Sequence, residues 1–202
     1  MTDEELMSGF QAGDDRAFEQ LYERYKRPIY QYVYRRLANA GRAEELTQEV
    51  FLGLLRSRGS WRQESSFKTY VYRIALNQCA SEARRADFRK LDPLERPDGS
   101  TVDVAGEGPG PDSETSRREE AELVTRALEQ IDPDQREVII LREYQGLAYE
   151  EIAEITGVAL GTVKSRLFRA KLELKRLLEP ILGAAPGEPG GAKVIPIRSS
   201  GH

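Results

Sequence analysis

Cysteine and histidine are almost missing from this chain, which holds one of each, Cys79 and His202. A single thiol forbids an internal disulfide, and a zinc centre built from His and Cys clusters has no ligands to draw on. One histidine at position 202 also leaves no Ser/His/Asp arrangement to assemble. Long apolar runs are missing too. None approaches the ~20 residues that cross a bilayer, and no basic-then-apolar leader opens the sequence. Surplus positive charge is absent as well, since the net charge is -4. A protein that grips DNA unaided usually carries excess cations, so any basic surface here must be local and offset elsewhere. The glycine-rich stretch Gly106–Pro111 lacks both a GK[ST] continuation and a preceding strand, which excludes a phosphate loop. No catalytic cluster and no cofactor site is expected. The expected activity is binding, in the cytoplasm, with no membrane insertion.

What is present falls into four parts. Residues 1–90 and 119–180 show helical periodicity; residues 91–118 and 181–202 are dominated by Pro, Gly, Ser, Thr and, in the former, acid. Such segments bury too little apolar surface to offset the entropy of ordering, so a flexible linker and a flexible tail are expected. No stretch alternates with the period of a strand. The pattern predicts an all-α fold of two small helical domains on a tether. In the first domain Phe18, Leu21, Tyr22, Tyr25, Ile29, Tyr30 and Val33 recur at helical spacing behind the N-cap candidates Asp14 and Asp15. Pro28 predicts a kink or break near Arg27. A helix from about Ala43 to Arg56 turns Leu46, Val50, Leu54 and Leu55 inward, and a third begins near Ser66. In the second domain Asp132 is an N-cap with Pro133 at the first helical position.

The most informative stretch is Tyr149–Lys171, which reads as two helices joined at Gly157. Ile152, Ala153 and Ile155 in the first and Val163, Leu167 and Ala170 in the second form an apolar back. Lys164, Ser165, Arg166, Arg169 and Lys171 form a basic, hydrogen-bonding front, which is what the DNA major groove admits. Thr162 and Ser165 are short donors suited to phosphate or base edges, and Arg142 is placed to reach the backbone. The first domain differs. Trp61 stands in a polar loop with Arg62, Gln63 and Ser65, followed by Tyr70, Tyr72, Asn77, Arg84 and Arg85. Rings interleaved with amides and cations suit unstacked single-stranded bases. Phe67 and Tyr70 are expected in the core, and Trp61 at the surface as a reader. The residues alone make DNA the leading partner and do not say whether the protein acts alone; a stand-alone helix-turn-helix regulator and, more weakly, an enzyme acting on nucleic acid stand open.

Taken in order and spacing, AFEQLYERY (17–25), AEELTQEVFLGL (43–54), FKTYVYRIALNQ (67–78) and LREYQGLAYEEIAEITGVALGTVKSRLFRAK (141–171) resemble the bacterial RNA polymerase sigma factors of the extracytoplasmic function (ECF) group. The resemblance implies a domain that docks on the clamp helices of the largest polymerase subunit through Glu44, Glu45, Leu46, Gln48 and Glu49. It implies -10 element recognition by Trp61, Ser65 and Asn77, with Arg84 and Arg85 along the backbone. It implies -35 element binding by Arg142, Tyr149, Thr162, Lys164, Ser165, Arg166, Phe168, Arg169 and Lys171, and a seat on the flap of the second-largest subunit. Core RNA polymerase and promoter DNA are the implied partners, with an anti-sigma factor as a further one that no residue identifies. The family usually has Trp where Tyr70 stands, whose added hydroxyl needs a partner, and Pro where Ala159 stands.

Overall fold

The computed structural model describes residues 1–62, 65–91 and 121–182, with side chains throughout except at 87–91 and 181–182. The expected linker and tail therefore lie outside the described residues, apart from residue 91 and residues 181–182, which end helices. Every regular element among the described residues is helical, with no strand.

Thr2 opens the chain with a reciprocal cap. Its hydroxyl accepts the Glu5 N–H at 3.2 Å while the Glu5 carboxylate accepts the Thr2 N–H at 2.8 Å. Helix α1 (Asp3–Gln11), which the periodicity did not single out, buries Leu6, Met7 and Phe10. Asp14 caps α2 (Asp15–Leu37), which runs unbroken through Pro28. Of the expected kink or break near Arg27, the break does not occur. An interior proline costs about 3 kcal/mol, but the next turns bury Ile29 and Val33 completely, worth about 1.5–3 kcal/mol each. Asn39 caps α3 (Ala40–Arg56). Arg58–Ser60 form one 3-10 turn, and α4 (Phe67–Leu91) follows. α4 is covered on two sides, by α1, α2 and α3 on one and by α7 on the other, so it buries Phe67, Tyr70, Val71, Tyr72, Ala75 and Cys79.

The second half begins with helical residues 121–129 (α5). Asp132 caps α6 (Pro133–Ile139), its carboxylate accepting the N–H groups of Asp134 and Gln135. α6 continues into a wider π-turn over Ile140–Tyr144. α7 (Tyr149–Thr156) ends at Gly157, whose φ of +69° is the left-handed conformation glycine adopts freely, and α8 (Leu160–Leu182) follows. The two halves do not stand apart. α7 lies on α4 and the π-turn lies on α2, and one apolar core runs through both.

Candidate nucleic-acid interface

The α7–α8 pair has the expected back. Ile152, Ile155, Val163, Leu167 and Ala170 are buried, and Ala153 is half-buried. Lys164, Ser165, Phe168, Arg169 and Lys171 face solvent, and Phe168 is 71% exposed. The cations are not equally available. Arg166 is paired with Asp134, and Lys171 Nζ lies 2.7 Å from Glu143. Lys164 and Arg169 have no ion-pair partner among the described residues. Thr162 is half-buried at the start of α8, and its carbonyl accepts the Ser165 hydroxyl at 3.0 Å. Arg142 donates to the Leu147 carbonyl at 2.8 Å and lies 4.7 Å from the Tyr149 ring centroid, so these two half-buried side chains brace one another.

In the first half Trp61 departs from expectation. It is 5% exposed and packed in the core, with its indole N–H buried and without a hydrogen-bond partner. The ring joins the apolar core despite its loop position, because a large flat side chain loses much apolar surface to water there. The Gln11 amide holds the loop by donating to the carbonyls of Arg58 and Trp61, at 2.8 and 3.0 Å. Trp61 and Ser65 share the wall of a cleft of about 150 Å³ with Ser60, Arg62, Tyr70, Arg73 and, from the other half, Glu154. The hydroxyl that Tyr70 adds to the family pattern donates to Ser57 Oγ at 2.7 Å, while the ring is buried with Phe67 as expected. Asn77, Arg84 and Arg85 are exposed along α4, outside the cleft. Arg73 lines it and was not singled out from the sequence. Its signal was its position one helical turn before Asn77, which places both on one face.

The expected docking helix also needs correction. Glu44, Glu45 and Gln48 are exposed and Glu49 is half-buried, but Leu46 is 0% exposed and belongs to the core. Leu55, expected inward, is exposed together with Leu52, while Phe51 points in. Glu44, Gln48, Leu52 and Leu55 therefore make one outer stripe at spacings of four, four and three. Tyr22, exposed beside it, packs on Phe51 at 4.7 Å. Arg42 bridges Glu45 to the buried Glu82, which it meets at 2.5 Å.

Among the described residues no group of three or more His, Cys, Asp or Glu side chains could hold a metal ion, and no helix is long and apolar enough to cross a membrane. Burial pushes the Cys79 thiol up to about 12, so it is protonated and unreactive at neutral pH.

Two family models match the chain. Sigma-70 region 2 covers residues 21–89, and sigma-70 region 4 covers residues 121–174. The ECF RNA polymerase sigma-E factor of Escherichia coli (strain K12) is 33% identical over 186 residues, covering 90% of this chain and 97% of that protein. The chain belongs to the sigma-70 family, in its ECF group. This sigma factor directs RNA polymerase to promoters. The RNA polymerase sigma-H factor of Pseudomonas aeruginosa is 31% identical over 191 residues, covering 91% of this chain and 97% of that protein. Among solved structures, the sigma factor RpoE of Bartonella quintana, in complex with the anti-sigma factor NepR, shares its fold with this sigma factor. The TM-score is 0.67 at 26% identity, over 80% of this chain and 96% of that one. CnrH, in complex with the cytosolic domain of CnrY, shares the fold at a TM-score of 0.67 and 23% identity, over 89% of this chain and 99% of that one.

Proposed function

We propose that this sigma factor divides promoter reading between its halves. Residues 119–180 hold the upstream -35 duplex through the exposed front of α8, and residues 1–90 capture opened -10 bases at the Trp61 cleft and along Asn77, Arg84 and Arg85 of α4. The observation that carries this reading is α8. Its apolar back is buried while Lys164, Ser165, Phe168 and Arg169 stand in solvent behind a glycine turn. Lys164 and Arg169 supply phosphate and base contacts, and Phe168 offers an apolar surface to a thymine methyl. Arg142 and Tyr149, braced together, contribute a backbone contact rather than a base contact. The outer stripe of α3, now Glu44, Gln48, Leu52 and Leu55 without Leu46, is the docking face for the clamp helices of core polymerase. The region 4 half rests on the flap of the second-largest subunit.

Polymerase supplies the chemistry on this reading. The sigma subunit is no enzyme and works in the cytoplasm, spending contact energy on trapping bases whose extrusion costs a few kcal/mol each. An anti-sigma factor is a further partner, as the Bartonella quintana relative has one. The test is reconstitution with core polymerase on a promoter mapped from its transcripts. Arg169→Ala should lower initiation at a -35-dependent promoter by a factor corresponding to about 1–3 kcal/mol. Full initiation by a folded Arg169→Ala protein would overturn the assignment.

A further inference from the structure

Residues 57–62 lead out of α3 and carry Trp61, and Phe67 opens α4. Helix α1 holds both. The side-chain amide of Gln11, the last residue of α1, donates to the Arg58 carbonyl at 2.8 Å and to the Trp61 carbonyl at 3.0 Å. An amide nitrogen carries two N–H donors, and two loop carbonyls accept here. Such carbonyls lie outside any helical ladder, so their partners must come from elsewhere. Glu4, two turns earlier on α1, accepts the Phe67 N–H at 3.1 Å. It acts there as a cap residue would, because the first N–H groups of a helix have no partner inside it. The helix that carries these two side chains is itself anchored, with Met7 and Phe10 buried in the core. The Arg58 guanidinium adds a contact 5.3 Å from the Phe10 ring centroid.

Glu4, Met7 and Gln11 fall at intervals of three and four, which is one face of a helix. That helix lies ahead of residues 21–89, the part matched by sigma-70 region 2. From the α4 side, the Tyr70 hydroxyl donates to Ser57 Oγ at 2.7 Å, where α3 ends. Trp61 explains why the loop needs holding. Its indole N–H is buried without a hydrogen-bond partner, which costs free energy that the surrounding contacts must offset. The bonds from Gln11 grip main-chain carbonyls, so they fix the path of the loop rather than any one side chain on it.

We propose that α1 positions the promoter-reading loop: Gln11 and Glu4 fix the backbone on either side of it, and this fixity sets how sharply the Trp61 loop tells one unstacked base from another. The proposal rests on the reading of that loop given above. A loop free to shift remakes its contacts around a wrong base, so it binds but discriminates less. A fixed loop leaves the polar groups of a wrong base unpaired, and that loss is what discrimination consists of. Gln11 and Glu4 are positioning residues, acting through the loop rather than on DNA.

The test has two readouts. The chain holds one tryptophan, so the fluorescence of the free full-length protein reports this loop alone. Gln11→Met keeps the length of the side chain but has no N–H to donate. It should shift Trp61 emission to the red and raise its quenching by acrylamide. The second readout is holoenzyme binding to fluorescein-labelled single strands that carry the -10 segment of a mapped promoter. Wild type should prefer the mapped strand over one with its most sensitive base replaced by roughly tenfold, a usual cost for one wrong base. Gln11→Met should cut that preference to about threefold or less, by weakening the mapped strand and sparing the replaced one. Glu4→Ala should do the same, while Glu4→Gln, whose side-chain oxygen still accepts the Phe67 N–H, should keep the wild-type preference. Thr2→Ala removes the hydroxyl that caps α1 and weakens the helix without touching the loop, so it should leave the preference unchanged. Unchanged Trp61 quenching in Gln11→Met, or an equal loss of preference in Thr2→Ala, would overturn the proposal. A loosened Trp61 with an undiminished preference would show that this loop does not read the bases, and the reading beneath the proposal would fall with it.

Discussion

The two surfaces proposed to read DNA are held in opposite states. On α8 the groups proposed to meet DNA stand in solvent: Phe168 is 71% exposed, and Lys164 and Arg169 are exposed beside it. At the other surface Trp61 is tucked into the core with its N–H unpaired, and a carboxylate of the opposite half lines the cleft. A duplex presents the same groove before and after binding, so its reader can be preformed. A flipped base exists only after melting, so a surface proposed to read it need not be preformed. The halves also differ in how they turn the chain. The second half uses Gly157 at φ +69°, whereas the first places Ala38 at φ +51°.

The largest expected effect is at Trp61. If its ring is as much core as reader, Trp61→Ala should destabilise the protein by about 3–5 kcal/mol in thermal or urea unfolding. A loss under about 0.5 kcal/mol, the range of an ordinary surface substitution, would show a loop ring and erase the contrast with Phe168. Phe168→Ala, in turn, should leave stability within about 0.5 kcal/mol while weakening duplex binding. A smaller effect concerns Tyr70. Ser57→Ala removes the hydroxyl that accepts its proton and should cost about 1 kcal/mol, and Tyr70→Phe should recover most of that loss in the double variant. Purely additive losses would mean that the two hydroxyls do not depend on one another. The smallest effects should have opposite signs. Gly157→Ala forces a side chain into the left-handed region and should destabilise by about 1 kcal/mol, whereas Ala38→Gly relieves that strain and should stabilise by up to about 1 kcal/mol. Equal signs would mean that one of these turns does not hold the backbone described here.

The second half was the more legible in the sequence because its signals are local. An apolar stripe against one packed side, a Gly turn and an Asp-Pro cap each act within a few residues, and all three appear where expected. The first half hides its logic in longer-range contacts. α4 buries rings on two sides, so its periodicity does not show which face is outer. In α3 the periodicity puts Leu55 inward, whereas Leu55 is exposed and Phe51 is buried, with Tyr22 packed on it. Pro28 reads as a breaker when only its own hydrogen bond is weighed against nothing. The Tyr32–Glu137 contact joins residues 105 apart, and no periodicity reports such a pair. Glu137 looks like any helix-surface acid until α2 covers it.

Division of labour between the halves is tested most directly by holoenzyme binding to a template that keeps the single-stranded -10 segment of a mapped promoter but has no upstream duplex. There Arg169→Ala should bind as tightly as wild type, because its contact is absent, while Asn77→Ala should bind more weakly. A loss for Arg169→Ala on that template, or none for Asn77→Ala, would contradict it.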